Sequence, residues 1–481
     1  MITGGASDLQ ISISGSKSES NRALILQAFA SDRIVIENLS DSDDTRALIQ
    51  ALALASSSSN LSSNSSSGSN SSSGLGSSSG SGSSSSASSG SSSGSLSSSS
   101  SSSSSGSNSS SSSSLNSSSS ASSSSDLSSS SEIKIDCGHA GSTFRFLTAY
   151  FAGLAGKEMI LTGSEQLQQR PMAPLIAALQ AMGADITYLA QKGFAPIRIS
   201  GKNLQASNVI EIDSSKSSQY ISALLLIGSQ ISGGLNLHLS QSRVSNAYIQ
   251  MTIALLKQAG ITVSDHQENL IITEQKILAH TFYIEPDWSS ASYWYAIKAL
   301  GYSGKIFLKG LKKDSVQGDA CIASLMENYG VQTIYHADGI ELIEGTICEE
   351  PLLIDCIDCP DLAPTLIATA AAMRLPYRFT GLQTLAHKES NRTEALSSEL
   401  EKIGVTLSAA GEIFSLAYPT AFDYTQALVF ETHHDHRMAM CLAPLALQWP
   451  NITIKNAAVV EKSYRSFWDD FAQTGLSLNL Q

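Results

Sequence analysis

Basic residues are in short supply. Lysine and arginine number 29 against 42 aspartate and glutamate, which leaves the chain at −13 at pH 7. That balance disfavours the nucleic-acid and membrane-surface partners that need broad positive charge. A small anionic substrate is still admissible, because a few local Lys, Arg and helix N-termini hold such a ligand. Long hydrophobic runs are missing too, and no stretch approaches the roughly 18 apolar residues of a membrane span. Cysteine is sparse: six residues, at 137, 321, 348, 356, 359 and 441, spread along a chain whose start lacks a basic segment followed by an apolar one. Free thiols in a reducing compartment are the expectation, and with them a cytoplasmic location. Cys356 and Cys359 form a lone C-x-x-C without a second pair at zinc-finger spacing, so they read as packing thiols.

What is present is a 481-residue chain that is 42% hydrophobic, enough for two or three domains of a soluble globular protein. One segment breaks the pattern. From about Ser56 to Ser131 the chain is almost only Ser, Gly and Asn, with Asp126 its sole charge. Such a stretch has too little apolar surface to offset chain entropy, so 56–131 reads as a disordered insertion without chemistry. It interrupts a domain, lying between "DDTRALIQALALA" and "EIKIDCGHAGSTFRFLTAYFAG".

Six times a small or polar cluster opens an apolar helix: from Ser14, Gly138, Ser214, Asp287, Cys359 and His434. After the first interval the starts recur about every 72 to 76 residues, and the first is longer by roughly fifty, the scale of the Ser-rich run. Amphipathic helices recur at the same period, beginning near Pro171, Asn246, Gly318, Asn391 and Ser466, with "DTRALIQALALA" as the first copy. Between them "GFAPIRIS", "NLIITEQ" and "GKIFLKGL" alternate as strands do. The apolar helices should be buried and the amphipathic ones should cover sheets. Six α+β units group as three and three, giving two similar α/β domains with buried helices inside sheets. If the six helix starts face one cleft, their unpaired N–H groups make it an anion site; the plainer reading is that Ser and Asp only cap helices there.

Basic residues gather at these starts. Lys17 and Arg22 flank Ser18 and Ser20 ahead of an apolar helix, which disfavours a solvated face. Arg170 precedes Pro171 at a helix start, a favoured place for proline. "KSSQY" (Lys216 to Tyr220) offers paired hydroxyls and an amide suited to a phosphate. "HKESNR" groups Lys388, Glu389 and Arg392, and "HHDHRMAM" groups Asp435, His436 and Arg437. Arg437 within that cluster would repel a cation, so anion binding is preferred to a metal site.

In this order, "GSKSESNRAL", "QQRP", "SSQYISALL", "PDLAPT", "KESNR" and "DHRMAM" resemble the enolpyruvyl transferase family, closest to its members that use shikimate 3-phosphate, over the whole chain except the Ser-rich run. The resemblance implies two inside-out α/β domains, each of three repeated units, with the active site in the interdomain cleft. The reaction it implies moves the enolpyruvyl group of phosphoenolpyruvate to the 5-hydroxyl of shikimate 3-phosphate, in aromatic amino-acid biosynthesis. Such chemistry needs a proton acceptor, a proton donor and strong neutralisation of anions. Lys and Arg supply that charge, so the resemblance implies neither metal nor cofactor, and a monomer whose partners are the two small molecules.

Carried over position by position, Lys17, Gly141, Arg170, Gln219, Arg392, Arg437 and Lys462 match the phosphoenolpyruvate positions; Arg392 and Arg437 suit its planar carboxylate. Lys17, Ser18, Arg22, Ser217, Ser218, Gln219, Ser245, Tyr248, Asp361 and Lys388 match the shikimate-phosphate positions. Asp361 is the implied base for the 5-hydroxyl and Glu389 the implied proton-transfer residue at the methylene carbon, with Lys17 and Lys462 in the catalytic set. Several positions depart from the family: His139 for Asn, Ser142-Thr143-Phe144 for Thr-Ala-Met, Asn246-Ala247 in "SNAY" for Lys/Arg-Pro, Thr384 for a substrate-contacting Asn, and Asn391 for Asp. The expected division is a discontinuous domain of 1–15 with 286–481, carrying the catalytic carboxylates and phosphoenolpyruvate arginines, and a shikimate-phosphate domain of 16–285. The hinge is expected near Gly15 and near Glu285 to Asp287, with closure promoted by shikimate phosphate. A related branch that uses UDP-N-acetylglucosamine carries a loop cysteine, and none of the six cysteines sits in a matching loop. An inactive ligand-binding relative is the alternative of a different class.

Overall fold

Alternating apolar positions and buried helices set the architecture. In the computed structural model, which describes residues 7–30, 33–63, 132–206 and 208–481, one pattern recurs: strand, core helix, parallel strand, covering helix, antiparallel hairpin. The unit nearest the middle of the chain shows it whole. Ile210–Ile212 pairs parallel with Leu235–Leu239 across the core helix Ser218–Gly228. Asn246–Gln258 then covers the sheet, and Val263–His266 with Asn269–Ile272 adds the hairpin. The same order holds from Ile133–Asp136 to Ile197–Ser200 and from Leu353–Asp355 to Ile413–Ala417. In the last unit the third strand, Asn479–Leu480, runs parallel to Ile452–Ile454. The strands expected in "GFAPIRIS", "NLIITEQ" and "GKIFLKGL" are present as Ile197–Ser200, Asn269–Ile272 and Ile306–Lys309.

All six apolar segments form core helices: Lys17–Ala30, Gly141–Ala152, Ser218–Gly228, Trp288–Ala299, Ala363–Met373 and His436–Leu442. They lack a polar face because sheets and sister helices surround them. Ser218–Gly228 is buried except for Gln219, and Gly141–Ala152 except for Ser142. Each buried Leu, Ile or Phe on these helices stabilises the fold by about 1.5–3 kcal/mol. The covering helices differ more. Near Gly318 the expected amphipathic helix is broken into the turn Gly318–Cys321, the single α-turn Ile322–Leu325 and the turn Met326–Asn328. A Cβ at Gly318 would lie 2.1 Å from that of Ala247, so this end is pressed onto a neighbouring helix rather than laid along a sheet. The helix Asp43–Ser63 runs on into the Ser-rich segment. The remainder of the segment read as an insertion, 64–131, lies outside the described residues.

Two hydrophobic cores result. One gathers residues from Ala23 to Ile284, the other joins Leu9, Ile11 and Ile13 to residues from Trp288 to Phe471. The chain passes between them twice, side by side. Gly15 bridges Pro286, Ser16 N–H donates to Glu285 O at 2.8 Å, and Asp287 N–H to Ser14 O at 3.1 Å. Only glycine fits at 15, since a Cβ there would stand 1.9 Å from the Asn38 carbonyl oxygen. The early strand Leu9–Ile11 therefore pairs with Ile306–Lys309, while His280–Tyr283 returns to pair with Ile34–Glu37. The architecture is two α/β halves, each of three repeated units, with a cleft between them. No helix among the described residues is long and apolar enough to cross a membrane.

Candidate active site

Between the two cores lies a cavity of about 540 Å³. Lys17, Ser18, Gly141, Ser142, Ser217, Ser218, Gln219, His436 and Arg437 bring the starts of four core helices to its wall, and Asp361 stands just ahead of a fifth. The start of Trp288–Ala299 contributes no lining residue, so the helix starts converge without all six facing the cavity. Capping accounts for part of the Ser and Asp pattern: Ser217 accepts from Gln219 N–H and Asp435 from Arg437 N–H. At Gly141–Ala152 the preceding Ala140 supplies no side-chain cap, and the first-turn amides are left to a ligand.

Positive charge dominates the lining, which includes Lys17, Arg22, Arg145, Arg170, Lys216, Lys388, Arg392 and Arg437. Three carboxylates answer them. Lys17 Nζ is 3.3 Å from Asp44. Asp361 is bound by Arg437 at 2.7 Å, Arg392 at 3.0 Å and Lys388 at 3.1 Å. Burial alone would raise its pKa, but Arg437, Lys388 and Arg392 together hold it well below the ordinary carboxylate range. Glu389 meets Lys462 at 2.6 Å, Arg392 at 2.8 Å and Arg170 at 3.4 Å, and these cations likewise overcome burial and keep it ionised. Lys462 also donates to the His139 carbonyl at 3.3 Å, across the cleft. Arg392 is 1% exposed and is fixed from behind by Asp435 at 2.8 Å.

The donors are arranged ahead of any ligand. Among the described residues, Arg145 Nε, Arg170 Nε, Arg437 Nε, Thr384 Oγ1 and both ring nitrogens of His436 are buried with no hydrogen-bond partner, and all five of these residues line the cavity. Buried polar atoms are seldom left so, and an anionic ligand would satisfy the N–H and O–H donors among them. Gly141 permits the crowding, since a Cβ there would come within 2.5 Å of Arg170 Nη1 and 2.7 Å of Arg145 Nη1. Arg22 is more committed to the protein. It donates to Thr252, Ser222 and the carbonyls of Ser18 and Tyr248, leaving one of its five N–H groups for a ligand. Ser245, in left-handed backbone with φ 51°, bonds through its N–H to Ile357 O at 3.0 Å, and Asn246 N–H to Asp358 at 2.9 Å. Tyr248 reaches Asp361 at 3.3 Å.

Every residue assigned above to a substrate or to the catalytic set lies at this cavity or, for Lys462, one ion pair behind its Glu389 wall. Arg145 and His436 were not in that set. Arg145 stands one turn along the core helix from Gly141, so its guanidinium folds back to Gly141 O and Gln219 Oε1; an arginine inside an otherwise apolar helix was the available signal. His436 is 1% exposed, and burial with Lys17 close by pushes its pKa well down, so the ring is neutral. The cysteines are free thiols, with Cys356 and Cys359 buried among apolar neighbours.

Fold and site together define a two-domain α/β enzyme for anionic substrates, built around an interdomain cleft. The chain matches the EPSP synthase family, described as 3-phosphoshikimate 1-carboxyvinyltransferase, over residues 4–78 and 110–471, and it belongs to that family. A 3-phosphoshikimate 1-carboxyvinyltransferase of Bacteroides fragilis is 41% identical over 347 residues, covering 72% of this chain and 84% of its own. Another, from a second strain of that species, is 35% identical over 471 residues, 98% of this chain and 96% of its own. The solved EPSP synthase of Acinetobacter baumannii shares the fold, with a TM-score of 0.63 at 17% identity over 98% of this chain and 97% of its own.

Proposed function

We propose that this chain transfers the enolpyruvyl group of phosphoenolpyruvate to the 5-hydroxyl of shikimate 3-phosphate, giving 5-enolpyruvylshikimate 3-phosphate and phosphate in chorismate biosynthesis. One observation carries the reading: two carboxylates, Asp361 and Glu389, stand in the wall of a cation-rich cavity, each held by three ammonium or guanidinium groups. The cations neutralise two phosphates and two carboxylates, and the two carboxylates move protons between them. Lys17, Gly141, Arg170, Gln219, Arg392, Arg437 and Lys462 would take phosphoenolpyruvate. Lys17, Ser18, Arg22, Ser217, Ser218, Gln219, Ser245, Tyr248, Asp361 and Lys388 would take shikimate 3-phosphate. Asp361 accepts the 5-hydroxyl proton, and Glu389, paired with Lys462, exchanges a proton with the methylene carbon. As the C–O bond to phosphate breaks, the negative charge left on the departing phosphate would be stabilised by Lys17 and the Gly141 helix start, both on the cavity wall. The two cores are read as domains of 16–285 and of 1–15 with 286–481, in a cytoplasmic monomer that binds neither nucleic acid nor membrane.

The test is phosphate release from phosphoenolpyruvate with shikimate 3-phosphate, beside UDP-N-acetylglucosamine and an Asp361→Ala control. Release with shikimate 3-phosphate alone, lowered at least about 100-fold in the control, is expected. Release only with the nucleotide sugar would transfer the chain to the other branch. Folded protein that binds both ligands without turnover would make it a binding relative.

A further inference from the structure

Behind the cavity lies another carboxylate that the reaction above does not use. Asp319 sits on the short turn Gly318–Cys321 and is 3% exposed. Its Oδ2 accepts from the Ser289 hydroxyl, and the Tyr248 hydroxyl lies 3.4 Å from the same oxygen. That hydroxyl is also 3.3 Å from Asp361 Oδ2. Asp319 Oδ1 is buried with no hydrogen-bond partner among the described residues. One phenol thus joins two carboxylates, of which Asp361 lines the cavity and Asp319 does not.

The two acids differ in their hold on a proton. Asp361 is surrounded by Arg437, Lys388 and Arg392, and is a poor resting place for one. Asp319 faces Asp361, Arg437 and Asp287 from three other elements, with the Tyr248 phenol, the Ser289 hydroxyl and the Cys321 and Cys359 thiols beside it. Burial, then the charge of Asp361, push its carboxyl up to about 7 against the pull of Arg437. A proton delivered to Asp361 therefore has a more basic site one hydroxyl away. Burial also holds Tyr248 well above the ordinary phenol range, so it passes a proton without standing as phenolate.

We propose that Asp361, Tyr248 and Asp319 form a proton relay, in which Asp319 receives the proton that the acceptor hydroxyl of the substrate gives to Asp361. The relay rests on the reaction proposed above. The substrate O–H bond breaks as an Asp361 O–H forms. That bond then breaks as its proton joins the Tyr248 oxygen and the phenol's own proton joins Asp319. Asp361 returns to carboxylate, Tyr248 is unchanged, and Asp319 holds one proton, which passes to water once product leaves. No electrons change hands. Asp319 touches no substrate and acts only through Tyr248.

The experiment is the pH dependence of kcat and KM from pH 5.5 to 8.5 for the parent chain, Asp319→Asn, Tyr248→Phe and the double variant. Asparagine keeps the size and the hydrogen bonds of Asp319 but cannot take up the proton. The parent should lose kcat on the acid side of about pH 7, where Asp319 is already protonated. Asp319→Asn should lower kcat roughly tenfold or more, with both KM values within about twofold, and should erase that inflection. Tyr248→Phe should erase it too, and the double variant should be no slower than the slower single one. Ionisation of the substrate phosphates is common to all four, so the difference between profiles is the readout. Asp319→Asn with the parent's kcat and inflection, as a structural role would give, overturns the relay, and so does an inflection that survives Tyr248→Phe. If the parent releases no phosphate with shikimate 3-phosphate, the reaction itself fails instead.

Discussion

Replacing Gly141 by alanine would drive a methyl group against the Arg170 and Arg145 guanidiniums, both at under 3 Å from the new carbon. Flexible side-chain ends can move aside, so stability should change by less than about 1 kcal/mol. Arg170 stands in the proposed subsite for phosphoenolpyruvate, and Arg145 holds Gln219 of that subsite. The KM for phosphoenolpyruvate should therefore rise about tenfold while that for shikimate 3-phosphate stays within about twofold, a split that steady-state kinetics would read. Equal rises in both would refute the assignment of Gly141. The residue scale also marks where reading the sequence stops. Lys17, Arg22 and Arg392 stood out because charges at the mouth of apolar helices have few structural uses. Arg145 did not, and His436 stood out only as a member of its cluster, because their place depends on the helix turning them to the same cavity, which is a fact of packing. Arg22 was legible as present but not as already occupied by Thr252 and Ser222, residues more than 190 positions away.

Along an element, the first turn of Lys17–Ala30 holds a cost. Glu19 is 5% exposed, its Oε2 has no partner, and burial with Glu285 nearby raises its pKa to about 8 from an ordinary 4.5. The unfolded chain loses this proton near 4.5 and the folded chain keeps it until about 8. Unfolding therefore releases a proton throughout that window, and stability falls by about 1.4 kcal/mol per pH unit as pH rises. Glu19→Gln should remove this slope, so that between pH 5 and pH 7.5 the parent loses roughly 3 kcal/mol relative to the variant in denaturant titrations. Parallel curves for the two would sink the account. The helices themselves were legible because a buried helix between sheets must be apolar on all sides, and six such runs recur at one period. The segment after Gly318 shows the limit: its apolar spacing suits a helix, yet the approach of Ala247 leaves only short turns.

For the whole molecule, the cavity's excess of cations opposes closure until an anion arrives. Contacts across the cleft include Lys462 to His139 O, Arg170 to Glu389, Ser245 N–H to Ile357 O, Asn246 N–H to Asp358, Tyr248 to Asp361 and Asp319, and Arg465 to Asp43. The radius of gyration from small-angle scattering should fall when both substrates are added, and an unchanged radius would refute ligand-driven closure. Division into two cores followed from the six-fold repeat; the exchange of chain between them, 1–15 with 286–481, was expected only through the family resemblance, since three-residue strands such as Leu9–Ile11 carry too little pattern to name their partner. That exchange bears on how the protein is made. At about 5–20 residues per second, roughly 15 to 60 s separate the emergence of Leu9–Ile11 from that of its partner Ile306–Lys309. Through that time the first strand waits with its edge open, while the chain between Ser16 and Tyr283 can complete its own core around His280–Tyr283. On the ribosome the strand Leu9–Ile11 therefore finds its place only after the chain up to Tyr283 has been able to take its own.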